Sequence, residues 1–125
     1  MNTEYLIFNS RDEFLRVKVS DIVYFESDGN YTGIVSANKL KSSVCMNLAH
    51  MEGLLAERLG DKRAMFVRVG KRHIINTNYL YMIAPARQRL VLSDMESFVY
   101  QLDISKEALS KLKVLMVGLA SKGNK

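Results

Sequence analysis

The sequence predicts a mostly-β fold with flanking helices, one in mid-chain and one at the C-terminus. Three observations carry that prediction. Short runs of β-branched, aromatic and leucine residues recur through most of the chain, separated by polar turn residues. The apolar spacing changes to a helical one only after Asn47 and after Ser105. The lone proline, Pro85, lies in the loop-like stretch APARQ, where it interrupts no strand ladder.

YLIFN (5–9) and FLRVKV (14–19) read as the first strands, with SRDE as the turn between them. DIVYFES (21–27) follows, then DGN, whose Asp28–Gly29 pair is a hairpin signal. YTGIVSA (31–37) and LKSSVCM (40–46) continue the meander through a turn at Asn38–Lys39. Leu40, Val44 and Met46 are expected on one face and Cys45 on the other.

In NLAHMEGLLAERLG, Leu48, Met51, Leu55 and Leu59 form an amphipathic stripe, with Asn47 as N-cap and Gly60 as C-terminal stop. Gly53 inside this helix is a liability of about 1 kcal/mol relative to alanine. Strands resume at MFVRV (65–69), RHII (72–75), RLVLS (89–93) and SFVYQL (97–102). The last helix, 105–119, takes Ser105 as its N-cap and aligns Leu109, Leu112, Met116 and Leu119 on one side. The tail ASKGNK (120–125) is expected to fray.

The chain has 125 residues, which points to a single domain spanning 1–125 with room for a hydrophobic core. Apolar residues at 48% and charged residues at 25% are ordinary for a globular protein and argue against disorder. No apolar run reaches the ~20 residues of a membrane span, so no membrane insertion is expected. The N-terminus lacks the pattern of a secretory signal, and Cys45 is the sole cysteine, so a reducing, cytoplasmic setting is expected.

Charge is uneven. Residues 1–30 hold three basic groups against six acids, whereas the rest of the chain holds fifteen against seven, for a net +5. Such asymmetry favours a polyanionic partner. The densest cationic stretch is FVRVGKRHIIN (66–76), where Arg68, Lys71, Arg72 and His73 crowd around Gly70. Like charges this close repel one another, so folding alone does not call for them. A tight turn at Gly70 would project Lys71 and Arg72 outward. Arg87 and Arg89 bracket a second loop, and Lys106 stands at the first turn of the last helix, an end suited to phosphate. A solvated set of charged loops accounts for the same residues equally well at this point.

Signs of catalysis are thin, and no enzyme is expected. His50 and His73 lie on different elements without metal-ligand spacing, and the serines lack a nucleophile-elbow context. No glycine-rich phosphate loop or catalytic constellation appears, and no cofactor or metal is implied.

Together, DIVYFESDGNYTGIV, a capped helix after an apolar strand, FVRVGKRHIINTNYLYMI and LDISKEALSKL resemble the LytTR DNA-binding domain in order and spacing, over about Val17 to Leu115. The family's core stretch reads roughly Phe-x-Arg-x-His-Arg-Ser-Tyr-x-Val-Asn. The resemblance implies a LytTR-like antiparallel β fold with a mid-chain helix and a C-terminal helix. It also implies a bacterial transcription regulator that binds double-stranded DNA sequence-specifically, its loops entering successive major grooves. Asn30, Tyr31 and Thr32 fall in the hairpin region that approaches the duplex. Gly70, Lys71 and Arg72 occupy the His-Arg-Ser positions, and Lys106 follows Ser105 where a basic residue is common. Arg68 and Asn76 match the motif, the first able to reach phosphate and the second a structural turn former. Lys41, Lys62 and Arg63 are further phosphate candidates. Asn30, Lys71, Arg72 and Lys106 are expected to share one surface.

The departures matter. Two bidentate forks become lysine point charges, at Lys71 and Lys106, which would alter or relax base preference. His73 stands where an aromatic is common and is expected to pack rather than bind. Members are commonly fused to receiver domains or membrane helices, and this chain shows neither, so a stand-alone regulator is expected. Its control would then come from abundance, a ligand or a partner, for which a membrane-bound inhibitor or sensor protein is one candidate. A second copy on repeated half-sites is another expected partner. The competing reading is a protein-interaction module that keeps the fold without specific DNA binding.

Overall fold

The computed structural model describes residues 4–123, with side chains to residue 120. The chain forms two compact units. One takes the chain up to Arg68 together with Arg72–Thr77, and the other takes Val69–Lys71 and the chain from Asn78 onward.

In the first unit, β1 (Tyr5–Asn9) and β2 (Phe14–Lys18) form an antiparallel ribbon. Ser10 closes its turn, donating its N–H to the Glu13 carbonyl at 2.9 Å and accepting the Glu13 N–H on its hydroxyl at 3.2 Å. A five-stranded sheet follows, built from β3 (Ile22–Asp28), β4 (Tyr31–Ser36), β5 (Lys41–Val44), β6 (Phe66–Val69) and β7 (His73–Asn76) in the order β5-β4-β3-β7-β6. β3 lies at its centre. The β3–β4 hairpin turns on Gly29, whose φ of +61° supplies the left-handed first position that a two-residue turn needs.

Helix α1 (Leu48–Leu59) is capped as its sequence demands: Asn47 Oδ1 accepts the His50 N–H at 2.7 Å, and Gly60 ends the helix at φ +57°. Its stripe, Leu48, Met51, Leu55 and Leu59, is buried in one cluster with Leu6, Phe25, Ile34, Phe66 and Ile74. Each such side chain contributes about 1.5–3 kcal/mol by leaving water. Phe25 meets Phe66 edge-on, with ring centroids 5.6 Å apart.

In the second unit, β8 (Leu80–Ala84), β9 (Arg89–Ser93) and β10 (Val99–Asp103) form an antiparallel sheet in the order β10-β9-β8. β8 was not expected from the sequence. Its register shifts between Leu80 and Met82, and only Tyr81 is exposed, so the alternation that marks a strand is missing. Pro85 opens a single 3₁₀ turn after it, outside any ladder, as expected. The β9–β10 loop is held by the Asp94 carboxylate, which accepts the backbone N–H groups of Glu96, Ser97 and Phe98 at 2.9, 2.8 and 3.1 Å. With the Ser97 hydroxyl also donating to it, this carboxyl stays far below the usual range.

Helix α2 (Lys106–Gly123) starts under a cap at Ser105, whose hydroxyl accepts the Ala108 N–H at 3.2 Å. Leu109 and Leu112 are buried with Leu90, Leu92, Phe98, Leu102 and Ile104. Two sequence expectations are corrected here and in the meander. Leu119 is 52% exposed and Met116 only half-buried, so the α2 stripe ends after its second turn. Leu40 is 64% exposed because β5 begins one residue later, although Val44 and Met46 are half-buried and Cys45 is exposed as expected. The helix extends to Gly123, and residues 124–125 lie outside the described residues.

Candidate nucleic-acid interface

Gly70, Lys71 and Arg72 form the whole loop between β6 and β7. Gly70 takes φ +66°, a backbone conformation costly to any residue with a Cβ. All three residues are exposed. In the first unit, the Ser27 N–H donates to the Arg72 carbonyl at 2.9 Å, which fixes the Arg72 backbone beside β3. Ser27 is one residue short of the β3–β4 turn, where Asp28 pairs with Tyr31. Arg72 therefore emerges next to the hairpin tip that carries Asn30 and Tyr31, both exposed.

The second unit shows a parallel arrangement. A Cβ built on Gly70 would lie 3.5 Å from the Ala108 Cβ and 3.9 Å from the Ile104 side chain. The turn that bears Lys71 thus packs on the start of α2, whose first residue is the exposed Lys106. Arg87 is also exposed in this unit.

Not every candidate side chain is available. Thr32 has no exposure, and its Oγ1 donates to the Met46 carbonyl at 2.8 Å, so it ties β4 to the chain after β5 and cannot face a duplex. Strand alternation explains this: exposed Tyr31 and buried Thr32 point to opposite sides of the sheet. Arg68 is only half-buried, but its Nη1 donates to Glu52 Oε1 on α1 at 2.8 Å. Lys62 pairs with Glu4 at 3.1 Å. Lys41 and Arg63 are exposed.

Beside Arg72 in the first unit lies an acid that the sequence alone does not single out. Glu26 pairs with His73 across the β3–β7 ladder. Its Oε2 is 3.1 Å from His73 Nε2 and 3.9 Å from the Arg72 guanidinium. His73 is 5% exposed, and burial pushes its pKa below the ordinary value, with Arg72 acting in the same sense against the raising effect of Glu26. Burial thus favours the neutral ring, and the contact is a hydrogen bond when the ring proton sits on Nε2. Among the described residues no group of three or more His, Cys, Asp or Glu side chains could hold a metal ion. Among the same residues no helix is long and apolar enough to cross a membrane.

Residues 12–116 match the family described as the LytTr DNA-binding domain. The chain belongs to the LytTR family of DNA-binding domains. Among solved structures, a LytTr DNA-binding domain assigned to a methyl-accepting/DNA response regulator from Bacillus cereus aligns over 90% of this chain and 95% of that one. The TM-score is 0.63 at 20% identity, which carries the fold: antiparallel sheets with two helices. No curated protein matches the chain. Within the LytTR frame, His73 is buried as expected, whereas Asn76, expected as a turn former, instead ties β7 to β3 through the Ile22 carbonyl.

Proposed function

We propose that this LytTR domain is a bacterial transcription regulator that binds double-stranded DNA sequence-specifically. In this reading Asn30, Tyr31 and Arg72 of the first unit and Gly70, Lys71 and Lys106 of the second make the contacts, with Lys41 and Arg63 as further phosphate partners. The observation that carries it is exposed Arg72, whose backbone carbonyl is held by the Ser27 N–H beside the β3–β4 hairpin. Arg72 and Lys71 would read base edges in the major groove, each good pairing being worth about 1–3 kcal/mol of discrimination. Gly70 would act through its conformation, since it has no side chain to offer. A domain of this size covers few bases, so two copies on repeated half-sites are expected. Work in the cytoplasm, where the chromosome is, follows from the same reading. A membrane-bound inhibitor or sensor protein would suit a regulator of this kind.

The test is fluorescence anisotropy with a labelled fragment of the gene's own upstream region, against scrambled competitor, across a salt series. Specific binding should survive competitor and weaken steeply with salt. A Lys71→Glu, Arg72→Glu double variant should bind at least about tenfold more weakly, since it removes two base-reading side chains worth more than about 1 kcal/mol apiece. Equal affinity for every duplex would overturn sequence-specific regulation.

The second reading, an interaction module without specific DNA binding, draws on a different observation. Val114, Leu115, Val117 and Leu119 leave α2 with an exposed apolar run, the kind of surface that partners cover. It predicts no sequence-specific binding of any duplex, and partner binding that survives the double variant.

A further inference from the structure

We propose that Glu26 is a positioning residue that makes Arg72 a reader of base edges rather than a clamp for phosphate. The role rests on the DNA-binding reading above. Glu26 sits in the central strand, locked between Gly33 of β4 on one side and His73 of β7 on the other. The ladder therefore fixes the face of the sheet from which its side chain leaves. His73 is nearly inaccessible and its Nε2 lies 3.1 Å from Oε2, a contact that holds that oxygen in place. Arg72 is anchored by its carbonyl to Ser27, and its side chain, 67% exposed, reaches back to the same oxygen at 3.9 Å.

The Arg72–Glu26 pair is loose and solvent-exposed, weak enough to yield to a ligand. Its consequence lies in what it does to that ligand. A phosphate is a full anion, and one bound to Arg72 in this pose would face the Glu26 carboxylate a few ångströms away. A guanine edge is neutral and offers only partial charges at O6 and N7, so the same carboxylate repels it far less. Glu26 thus penalises the phosphate that every duplex offers and spares the base edge that only certain sequences offer.

The test compares Glu26→Gln with wild type on the upstream fragment and on scrambled duplex, each also in an Arg72→Gln background. Glutamine keeps an oxygen for His73 and removes the charge. Glu26→Gln should tighten scrambled-duplex binding by about threefold to tenfold and steepen its salt dependence by about one phosphate neutralised. Affinity for the upstream fragment should stay level or fall, and both effects should vanish in the Arg72→Gln background. The Arg72 Nε–H resonance of DNA-free protein should also shift in the variant. Equal tightening on both duplexes, or an effect that persists without Arg72, would reduce Glu26 to a net-charge term and overturn the proposal. A variant indistinguishable from wild type would do the same. Wild-type protein that binds no duplex would overturn the DNA reading first, and this role with it.

Discussion

Asn76 donates its side-chain Nδ2–H to the backbone carbonyl of Ile22 at 2.8 Å, and neither residue has any exposure to solvent. The bond ties the end of β7 to the start of β3, where the pairing of β3 with β4 shifts register between Ile22 and Tyr24. The carbonyl lies away from water, and the asparagine amide gives it a hydrogen-bond partner there. Asn76→Ala should cost about 1–3 kcal/mol by leaving buried polar groups unpaired. Urea unfolding monitored by circular dichroism checks this; a change within error would mean that water replaces the amide.

Thr32 is a test of the interface by exclusion. Its hydroxyl serves the Met46 carbonyl, so Thr32→Val should cost about 1 kcal/mol of stability through the missing hydrogen bond. DNA affinity per folded molecule should not change. Tyr31→Ala, one residue earlier on the exposed side, should weaken binding without a comparable loss of stability.

His73 links stability to pH. Its native pKa is depressed, first by burial, so the unfolded chain takes up a proton at a higher pH than the folded one does. The stability gained by keeping the ring neutral is complete above the ordinary imidazole pKa of about 6.5 and is lost as pH falls through the depressed native value. Wild-type protein should therefore lose more of its urea midpoint than His73→Phe between about pH 7.5 and about pH 5.5, a window above most carboxylate titration. Parallel curves would show that another group governs the acid limb.

Gly53 lies mid-helix on an exposed face of α1, and a Cβ there would meet nothing within 4 Å. Gly53→Ala should raise stability by about 1 kcal/mol, through a smaller loss of backbone entropy on folding. A rise in thermal midpoint with unchanged DNA affinity is the expected result.

Much of this protein is legible in its sequence because the deciding interactions are local. The Asn47 and Ser105 caps, the Gly60 stop and the Gly29 turn each depend on groups within four residues, and the α1 stripe needs only its own period. The turn at Gly70 belongs with them: its cations and its tight bend can both be read from GKR. Tertiary structure alone decided which polar side chains are available. Thr32 is engaged with Met46, Arg68 with Glu52, and Glu26 with both His73 and Arg72, all partners set by strand register and helix docking. β8 is hidden from a reading by period because a register shift and uneven burial erase its alternation. Leu119 misleads because period says which side chains align but not how far a packing surface extends. Spacing along a chain fixes neighbours within an element. Only the packed structure determines which surfaces remain exposed to water and which charges have already found partners.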